Sequence, residues 1–193
     1  MAKTIPEQLM ITDVSITNYH RVYSTESMSG IRYSRDSGIQ WFKGTITLQA
    51  YGYDNVRKLN GFLASLKGKL NAFALPLGGA YSNPDIVSNP VTSTPHSIGA
   101  TSIKLFHTGR PIEAGSVFTV PNDTKLYTVL EQVDKGGTYA ITPALKKAHS
   151  KTEPVNFMNP VITAVLDSNE TTIEHQGNGQ IAKATISWTE HLT

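Results

Sequence analysis

Two stretches that lie far apart in this chain share one strand pattern, and they constrain the fold more than any other feature. In residues 41–50 and 181–190, apolar side chains alternate with polar ones that are rich in threonine. Successive side chains of a β-strand point to opposite faces, so each stretch is predicted to be a strand with one buried face. The apolar positions are Phe42, Ile46, Leu48 and Ala50, and Ala182, Ala184, Ile186 and Trp188. We expect both strands in one antiparallel sheet, with Trp41 and Trp188 anchoring its ends and the other face in water or against a partner.

A single amphipathic helix is predicted directly after the first of these strands. Its apolar residues recur at steps of three and four, which is typical of one buried helical face. They are Val56, Leu59, Phe62, Leu63 and Leu66. Asp54 is the expected N-cap and Gly68 the expected C-terminal stop. Since polar residues fill the positions between, the helix is expected to cover one side of the sheet as scaffold.

Further strand-like segments lie before a long connection. Residues 10–19 and 30–35 are predicted to be strands joined by the polar stretch Arg21 to Ser29, and residues 71–76 to be another short strand. Residues 77–100 carry three prolines among many Gly, Ser and Asn residues and show almost no periodicity. They are predicted to form a long connection or a domain boundary.

A compact β module is predicted after this connection, from about residue 95 to residue 153. Its short strand-like segments are separated by turn sequences such as GRPIEAG, PND and DKGG. The segments are residues 101–107, 116–120, 126–133 and 138–143. Longer strands are predicted again at 156–167 and 180–192, with a polar turn region from Asn169 to Gln180 between them.

These elements predict a mainly β fold with one main α-helix, arranged as a split β-barrel or sandwich with an inserted small β domain. Because the matching strands lie on both sides of the module, residues 1–77 and 155–193 are expected to form one discontinuous, barrel-like domain. Residues 78–154 are expected to form the inserted domain with its Pro/Gly-rich entry linker. A length of 193 residues fits this arrangement, since a typical domain holds roughly 100 to 200 residues.

Composition excludes several kinds of site. Charged residues make up 17% of the chain, below the usual ~25%, and uncharged polar residues with 15 Gly and 10 Pro replace them, as in turn-rich β folds. There is no cysteine, so disulfides, thiolate metal sites and cysteine nucleophiles are excluded. The N-terminal MAKTIPEQLM lacks the apolar core of a signal peptide. No segment approaches the ~20 apolar residues that span a bilayer, and we expect synthesis in a reducing cytoplasm.

Charge is unevenly distributed along the chain. The net charge of +2 gives little electrostatic support to nucleic-acid binding. Residues 1–80 hold nine basic against five acidic residues, whereas residues 154–193 hold only Lys183 against four acidic residues. The basic and acidic ends are suited to pairing within one subunit or between neighbouring subunits. Ordinary scatter of charge on a solvated surface is the alternative.

No combination of catalytic or ligand residues is evident. The sequence lacks a GxSxG elbow, a phosphate-binding glycine loop and a dinucleotide fingerprint. The histidines fit no metal-binding spacing, and each is expected on the surface or in a loop. They are His20, His96, His107, His149, His175 and His191. Four aspartates are expected to lie in separate turns: Asp85, Asp123, Asp134 and Asp167. We therefore assign no catalytic, cofactor-binding or metal-binding residue and expect no cofactor.

The predicted strand, helix and following strand resemble a known family. The segment from Trp41 that ends in FLASLKGKLNAFALP is similar to phage tail proteins of the distal tail type. In those proteins a helix closing on FLxxLxGxxxxFxLP leads into a strand and then into an inserted module. The later segments SIGATSIKLFHTG, PIEAGSVFTV, KLYTVLEQV, AITPALKKA, VNFMNPVITAVL and ISWTEHL are also similar. The resemblance covers residues 41–192 and is weaker over residues 1–40.

Resemblance to the distal tail or minor tail proteins of long-tailed bacteriophages implies a structural virion subunit at the tail tip. It implies a homo-oligomeric ring, typically a hexamer, that connects the tail tube to the hub or baseplate. The expected partners are therefore copies of itself, the tail tube protein and hub or baseplate proteins, without nucleic-acid or membrane binding and without enzymatic activity. A related tail-hub protein, a carbohydrate- or receptor-binding module that uses the insertion, and a small hydrolase are the alternatives.

Overall fold

The computed structural model describes residues 2–192 and is mainly β, with one α-helix and two sheets. The larger sheet curls into a half-barrel, and the helix packs on it. The predicted fold class, a mainly β protein with one helix, is confirmed. None of the helices in the described part of the chain is long and apolar enough to cross a membrane.

The first sheet is built from both ends of the chain, and the second from its middle. The strands are β1 (Lys3–Thr4), β2 (Met10–Glu26), β3 (Arg32–Tyr51), β4 (Phe73–Pro76), β5 (Val91–Thr92), β6 (Ser102–Phe106), β7 (Val117–Phe118), β8 (Tyr127–Val129), β9 (Gly137–Thr142), β10 (Val161–Leu166), β11 (Glu174–Gln176) and β12 (Ile181–Glu190). The helix α1 (Tyr53–Leu66) and a 3-10 helix (Gly68–Leu70) lie between β3 and β4. The first sheet has the order β1-β4-β10-β12-β3-β2, with β11 paired to β12. The second has the order β5-β6-β9-β8-β7.

Strands β3 and β12 pair antiparallel, as their matching patterns predict. Ile186 lies opposite Ile46 in the register, and all eight predicted apolar positions are buried. Thr47 lies on the face of β3 opposite the apolar one, as predicted, but it is buried there. Its hydroxyl lies 3.2 Å from the hydroxyl of Thr185 on the neighbouring strand, which gives it a hydrogen-bond partner.

Helix α1 buries the five predicted apolar residues, but its ends differ from the prediction. The N-cap is Gly52, with a φ of 84°. Asp54 lies inside the first turn, where its negative charge interacts favourably with the positive end of the helix dipole. The C-cap is Lys67 in the left-handed conformation, one residue before Gly68. Gly68 also has a positive φ, and a Cβ there would lie 2.8 Å from Asn169 Oδ1, so glycine is needed for this close approach.

The N-terminal strands are much longer than the sequence predicted. We expected separate strands at 10–19, 30–35 and 41–50, whereas β2 and β3 form one continuous antiparallel hairpin. The predicted polar connection is mostly strand, and the turn is closed by a hydrogen bond from Ser27 N to Ile31 O at 2.9 Å. The reason is physical: backbone hydrogen bonds hold the pair together whether or not a face is buried, so loss of apolar alternation does not mark a strand end.

The C-terminal strands also depart from their predicted limits. β10 occupies only the second half of the predicted strand 156–167, and it joins β4 to β12. β11 lies inside the predicted polar turn region and pairs with the start of β12. All three residues of β11 are exposed, so the sequence carried no apolar signal for this strand.

Two clusters of buried apolar residues underlie the two sheets. The first contains Trp188 and the apolar face of α1, and the second contains Phe118 and Phe157, whose ring centroids lie 4.8 Å apart. Val117 and Leu126, from the middle of the chain, belong to the first cluster. The middle of the chain therefore contributes to both cores, and the division into one discontinuous domain and one inserted domain stays a prediction.

Candidate assembly surface

The distal part of the β2–β3 hairpin, residues 19–39, projects from the first sheet and is called here the distal hairpin. β12 pairs with β3 no further than Lys43, so beyond that point the hairpin has no third strand. None of residues 17–39 is buried. From Tyr19 to Glu26 the strand extends roughly 23 Å at ~3.3 Å per residue. Over this length the hairpin therefore has no buried residue and no packed face.

Large apolar and aromatic side chains are concentrated on the distal hairpin. Their exposed fractions begin at 41% for Tyr19, and Met28 at the turn is fully exposed. The others are Val22, Tyr23, Ile31, Tyr33 and Ile39. Single apolar residues scattered over a surface are ordinary, whereas a concentration on one projecting element indicates an interaction surface.

The charged side chains of the distal hairpin are mainly basic. They are Arg21, Arg32 and Arg35, against Glu26 and Asp36. None of the five forms an ion pair with another residue in the range 2–192. The guanidinium of Arg21 lies 5.3 Å from the ring centroid of Tyr23, so cations and aromatic rings share this surface.

The base of the distal hairpin is held by polar and aromatic contacts. Trp41 was expected to anchor one end of the sheet. It is half-buried, lies outside both core clusters and packs on Tyr19 with ring centroids 4.3 Å apart. The side chain of Gln40 is buried and donates a hydrogen bond to Asn18 Oδ1. These contacts fix the direction in which the hairpin leaves the sheet.

A buried ion pair joins the second sheet to the hairpin base. Lys125 Nζ lies 2.5 Å from Glu190 Oε2 and donates to the carbonyl oxygen of Gln40 at 3.0 Å. The Lys125 and Glu190 side chains are only 1% and 0% exposed. Glu190 also accepts the backbone N–H groups of Phe42 and Leu126, at 3.1 and 3.0 Å. Burial lowers the pKa of Lys125, although the nearby Glu190 carboxylate acts in the opposite direction.

A second buried polar cluster surrounds His149. Its Nδ1 lies 3.0 Å from Glu153 Oε2, and its Nε2 lies 3.5 Å from Asp123 Oδ2. The hydroxyl of Tyr127 donates to the same Asp123 oxygen at 2.6 Å. The Asp123 carboxylate raises the pKa of His149, burial opposes that effect, and Glu153 adds to it. The two carboxylates therefore favour the protonated form of His149.

The histidines were expected on the surface or in loops, and two of them are buried. His107 lies in a loop, and His149 forms only an isolated β-bridge with His96. Each has a polar partner close by, because His107 Nε2 lies 2.7 Å from the carbonyl oxygen of Arg110. Asp123 lies in a turn as expected, but the fold brings it to His149 from a distant part of the chain. Across residues 2–192, no group of three or more His, Asp or Glu side chains is arranged to hold a metal ion.

Sequence reasoning assigned no site residue, and it missed both buried polar clusters. One signal was present: Glu190 continues the inward-facing series of β12 after Trp188. A carboxylate at a buried position requires a partner, so this position predicts a buried ion pair. The distal hairpin has no such signal, since its residues follow no burial pattern.

Comparison with known proteins assigns no family to this chain. No family model matches it, and no curated protein matches it at a significant level. The likeness to phage tail proteins rests on the sequence motifs alone.

Proposed function

We propose that this protein is a structural subunit of a phage tail tip. In this proposal it assembles into a ring, most simply of six copies, that connects the tail tube to the hub or baseplate in the virion. Its partners are then other copies of itself, the tail tube protein and the hub or baseplate proteins. The motif resemblance of residues 41–192 supplies the tail context, and the distal hairpin supplies the physical argument for assembly.

The observation that carries the proposal is the exposure of the distal hairpin on both faces. A two-stranded hairpin without a third strand or a packed face is marginally stable in water. This one also exposes the apolar and aromatic side chains described above. Contact with a neighbouring copy would bury those side chains and pair the free strand edges. Such an element is expected in a subunit that assembles, because neighbouring copies cover its apolar side chains and strand edges. In a protein that stays monomeric these groups would remain uncovered.

Charge supports contacts between different surfaces of neighbouring copies. The basic excess lies in residues 1–80 and includes the distal hairpin, and the acidic excess lies in residues 154–193. Asp167, Glu170 and Glu174 are exposed and form no ion pair among the residues that the structure describes. A head-to-tail contact brings unlike surfaces together and closes into a ring, so this charge distribution suits it. Its exposed ion pairs would weaken as salt rises.

The buried charged side chains have partners within the protein. Lys125 and Glu190 satisfy one another, and His149 lies between two carboxylates. Lys125 lines a cavity of about 100 Å³, but its ammonium is already bound to Glu190 and to the carbonyl oxygen of Gln40. We therefore propose a role in assembly without turnover of a substrate.

Sedimentation over a wide range of protein concentration tests this function. We expect reversible oligomers up to a ring, stabilised by added tail tube or hub proteins. In the matched control, residues 21–39 are replaced by Asn-Gly, which forms a tight two-residue hairpin turn. This variant removes no buried residue, so it should keep its melting temperature and stay monomeric. A wild-type protein that is monomeric under every condition, or one with robust hydrolytic activity, would overturn the proposal.

A further inference from the structure

A groove follows the first residues of β2. One cavity of about 470 Å³ is lined by Ile11 and Pro76 among others. Ile11 and Pro76 also line a second cavity of about 260 Å³, together with Ala80 and Tyr81. Ala80 and Tyr81 line a third cavity of about 230 Å³, which reaches the second sheet at Val117 of β7. Because neighbouring cavities share lining residues, the three lie side by side, and together they are called here the edge groove.

The backbone of β2 beside the edge groove is unpaired on its outer side. β2 is the last strand of the first sheet and pairs only with β3. Within the described range, the backbone hydrogen bonds made outside the regular strands and helices do not involve residues 10–26. A free edge presents N–H and C=O groups that accept a further strand, and apolar pockets beside it hold alternate side chains of that strand.

The walls of the first two cavities of the edge groove are mostly apolar. Of all the residues that line its three cavities, Glu7 is the only charged one. Asp13 lies next to the groove on β2, is exposed, and forms no ion pair among residues 2–192. The groove therefore suits an extended polypeptide that carries apolar side chains and positive charge.

The distal hairpin has this chemistry and a free edge of its own. Beyond Lys43, β3 loses its pairing with β12, and in residues 32–36 its outer side is unpaired within the described chain. This segment carries Tyr33 with Arg32 and Arg35. Its arginines complement Glu7 and Asp13 in charge.

A copy cannot place its distal hairpin in its own edge groove. The groove lies at the start of β2 and the hairpin turn at its end, and the strand between them is continuous. The twelve steps from Val14 to Glu26 span roughly 40 Å at ~3.3 Å per residue. The occupant is therefore a second copy.

We infer that, in the assembled protein, the outer edge of β3 in the distal hairpin of one copy lies in the edge groove of the next copy and adds a strand to β2. This inference rests on the proposed self-association and names the two surfaces that make it. The surfaces are different parts of the chain, so the contact is head-to-tail and repeats around a closed ring.

Cysteine cross-linking tests the pairing directly, because the natural chain contains no cysteine. Thr12→Cys places a thiol in the edge groove, and Ser34→Cys places one on the exposed distal hairpin. Oxidation of the double variant should give a ladder of covalent oligomers. The matched control carries Thr12→Cys with Thr171→Cys, which is also exposed but lies away from the hairpin, and should give no ladder. An equal ladder in both, or none in either while the wild type assembles, would refute the edge groove as the site and leave self-association standing.

Charge reversal provides a second measurement. Glu7→Lys with Asp13→Lys makes the groove basic, and Arg32→Glu with Arg35→Glu makes the hairpin acidic. Each variant alone should self-associate about tenfold more weakly, because like charges then face each other. An equimolar mixture should recover assembly, since each altered surface finds its complement on the other variant. Absence of recovery would refute the proposed pairing, whereas a wild type that never assembles would refute the proposed function itself.

Discussion

The buried pair of Lys125 and Glu190 permits a sharp test of how the second sheet is attached. Both side chains are almost completely excluded from water, and the carboxylate has no donors other than Lys125 Nζ and two backbone N–H groups in the described residues. In Glu190→Gln the Lys125 ammonium stays buried without a carboxylate beside it. The carbonyl oxygen of Gln40 is then the acceptor that it keeps from the native structure. Removal of one partner of a buried pair destabilises by about 3–5 kcal/mol, because it leaves an uncompensated charge.

The assay is urea denaturation followed by tryptophan fluorescence and by circular dichroism, since coincident transitions justify a single free energy of unfolding. A loss of 3–5 kcal/mol corresponds to a fall in melting temperature of roughly 6–20 °C for a chain of this size. Lys125→Met should destabilise less than Glu190→Gln, because Glu190 keeps its two backbone donors. The double variant should be less destabilised than the sum of the two single variants.

The matched control is the exposed ion pair of Arg57 with Asp54 on α1. Its side chains are 79% and 88% exposed, so Arg57→Met should change the unfolding free energy by less than about 1 kcal/mol. If Glu190→Gln has an equally small effect, the pair is not excluded from water. The argument that it attaches the second sheet would then be wrong.

Three further predictions concern single positions and are measured by the same unfolding assay. Trp188→Ala should destabilise by about 3–5 kcal/mol because it truncates a fully buried aromatic side chain; an unchanged urea midpoint would contradict its place in the core. Folding raises the pKa of His149, so its stabilising contribution is complete below the unfolded pKa of about 6.5 and is lost as pH rises through the folded pKa. As pH rises above about 6.5 the wild type should therefore lose more stability than His149→Gln, and parallel pH profiles would exclude this role. Gly44→Ala should destabilise strongly because its Cβ would lie 1.8 Å from the carbonyl oxygen of Ser15. Gly61→Ala on α1 meets nothing within 4 Å and should stabilise by up to about 1 kcal/mol, so a similar response of both glycines would refute the close approach.

The parts of the fold that the sequence predicted are those with one buried face. The alternation of β3 and β12 placed both strands in one sheet, and the stripe of α1 identified its buried residues. In these elements the side chains that face the core are apolar and those that face away are polar. The pattern therefore identifies the strand or helix without knowledge of the element that packs against it. The N-cap was mispredicted because Asp54 has the right chemistry, whereas the turn before the helix requires the positive φ of Gly52.

Neither the distal hairpin nor the buried polar clusters could be predicted from the sequence, and the two reasons are opposite. The hairpin has no buried face, so its strands lack the periodicity that marked the others, and pairing depends on backbone groups that every residue carries. Lys125 and His149 are buried, but their partners are distant in sequence. A lysine in a polar turn is normally solvated. Only the folded structure shows that the turn beside Asp123 faces the end of β12.

The Lys125–Glu190 pair also bears on assembly, because it meets the hairpin where the hairpin leaves the sheet. Lys125 comes from the turn that leads into β8, Glu190 from the end of β12, and the carbonyl of Gln40 from the base of the distal hairpin. Three parts of the chain are thus held at one buried point before any neighbour arrives. A projecting element whose direction is already fixed loses less freedom on binding than one that must be ordered by its partner. In the proposed ring, the buried ion pair therefore favours assembly indirectly, since it presents the distal hairpin and the second sheet to neighbouring copies in one fixed orientation.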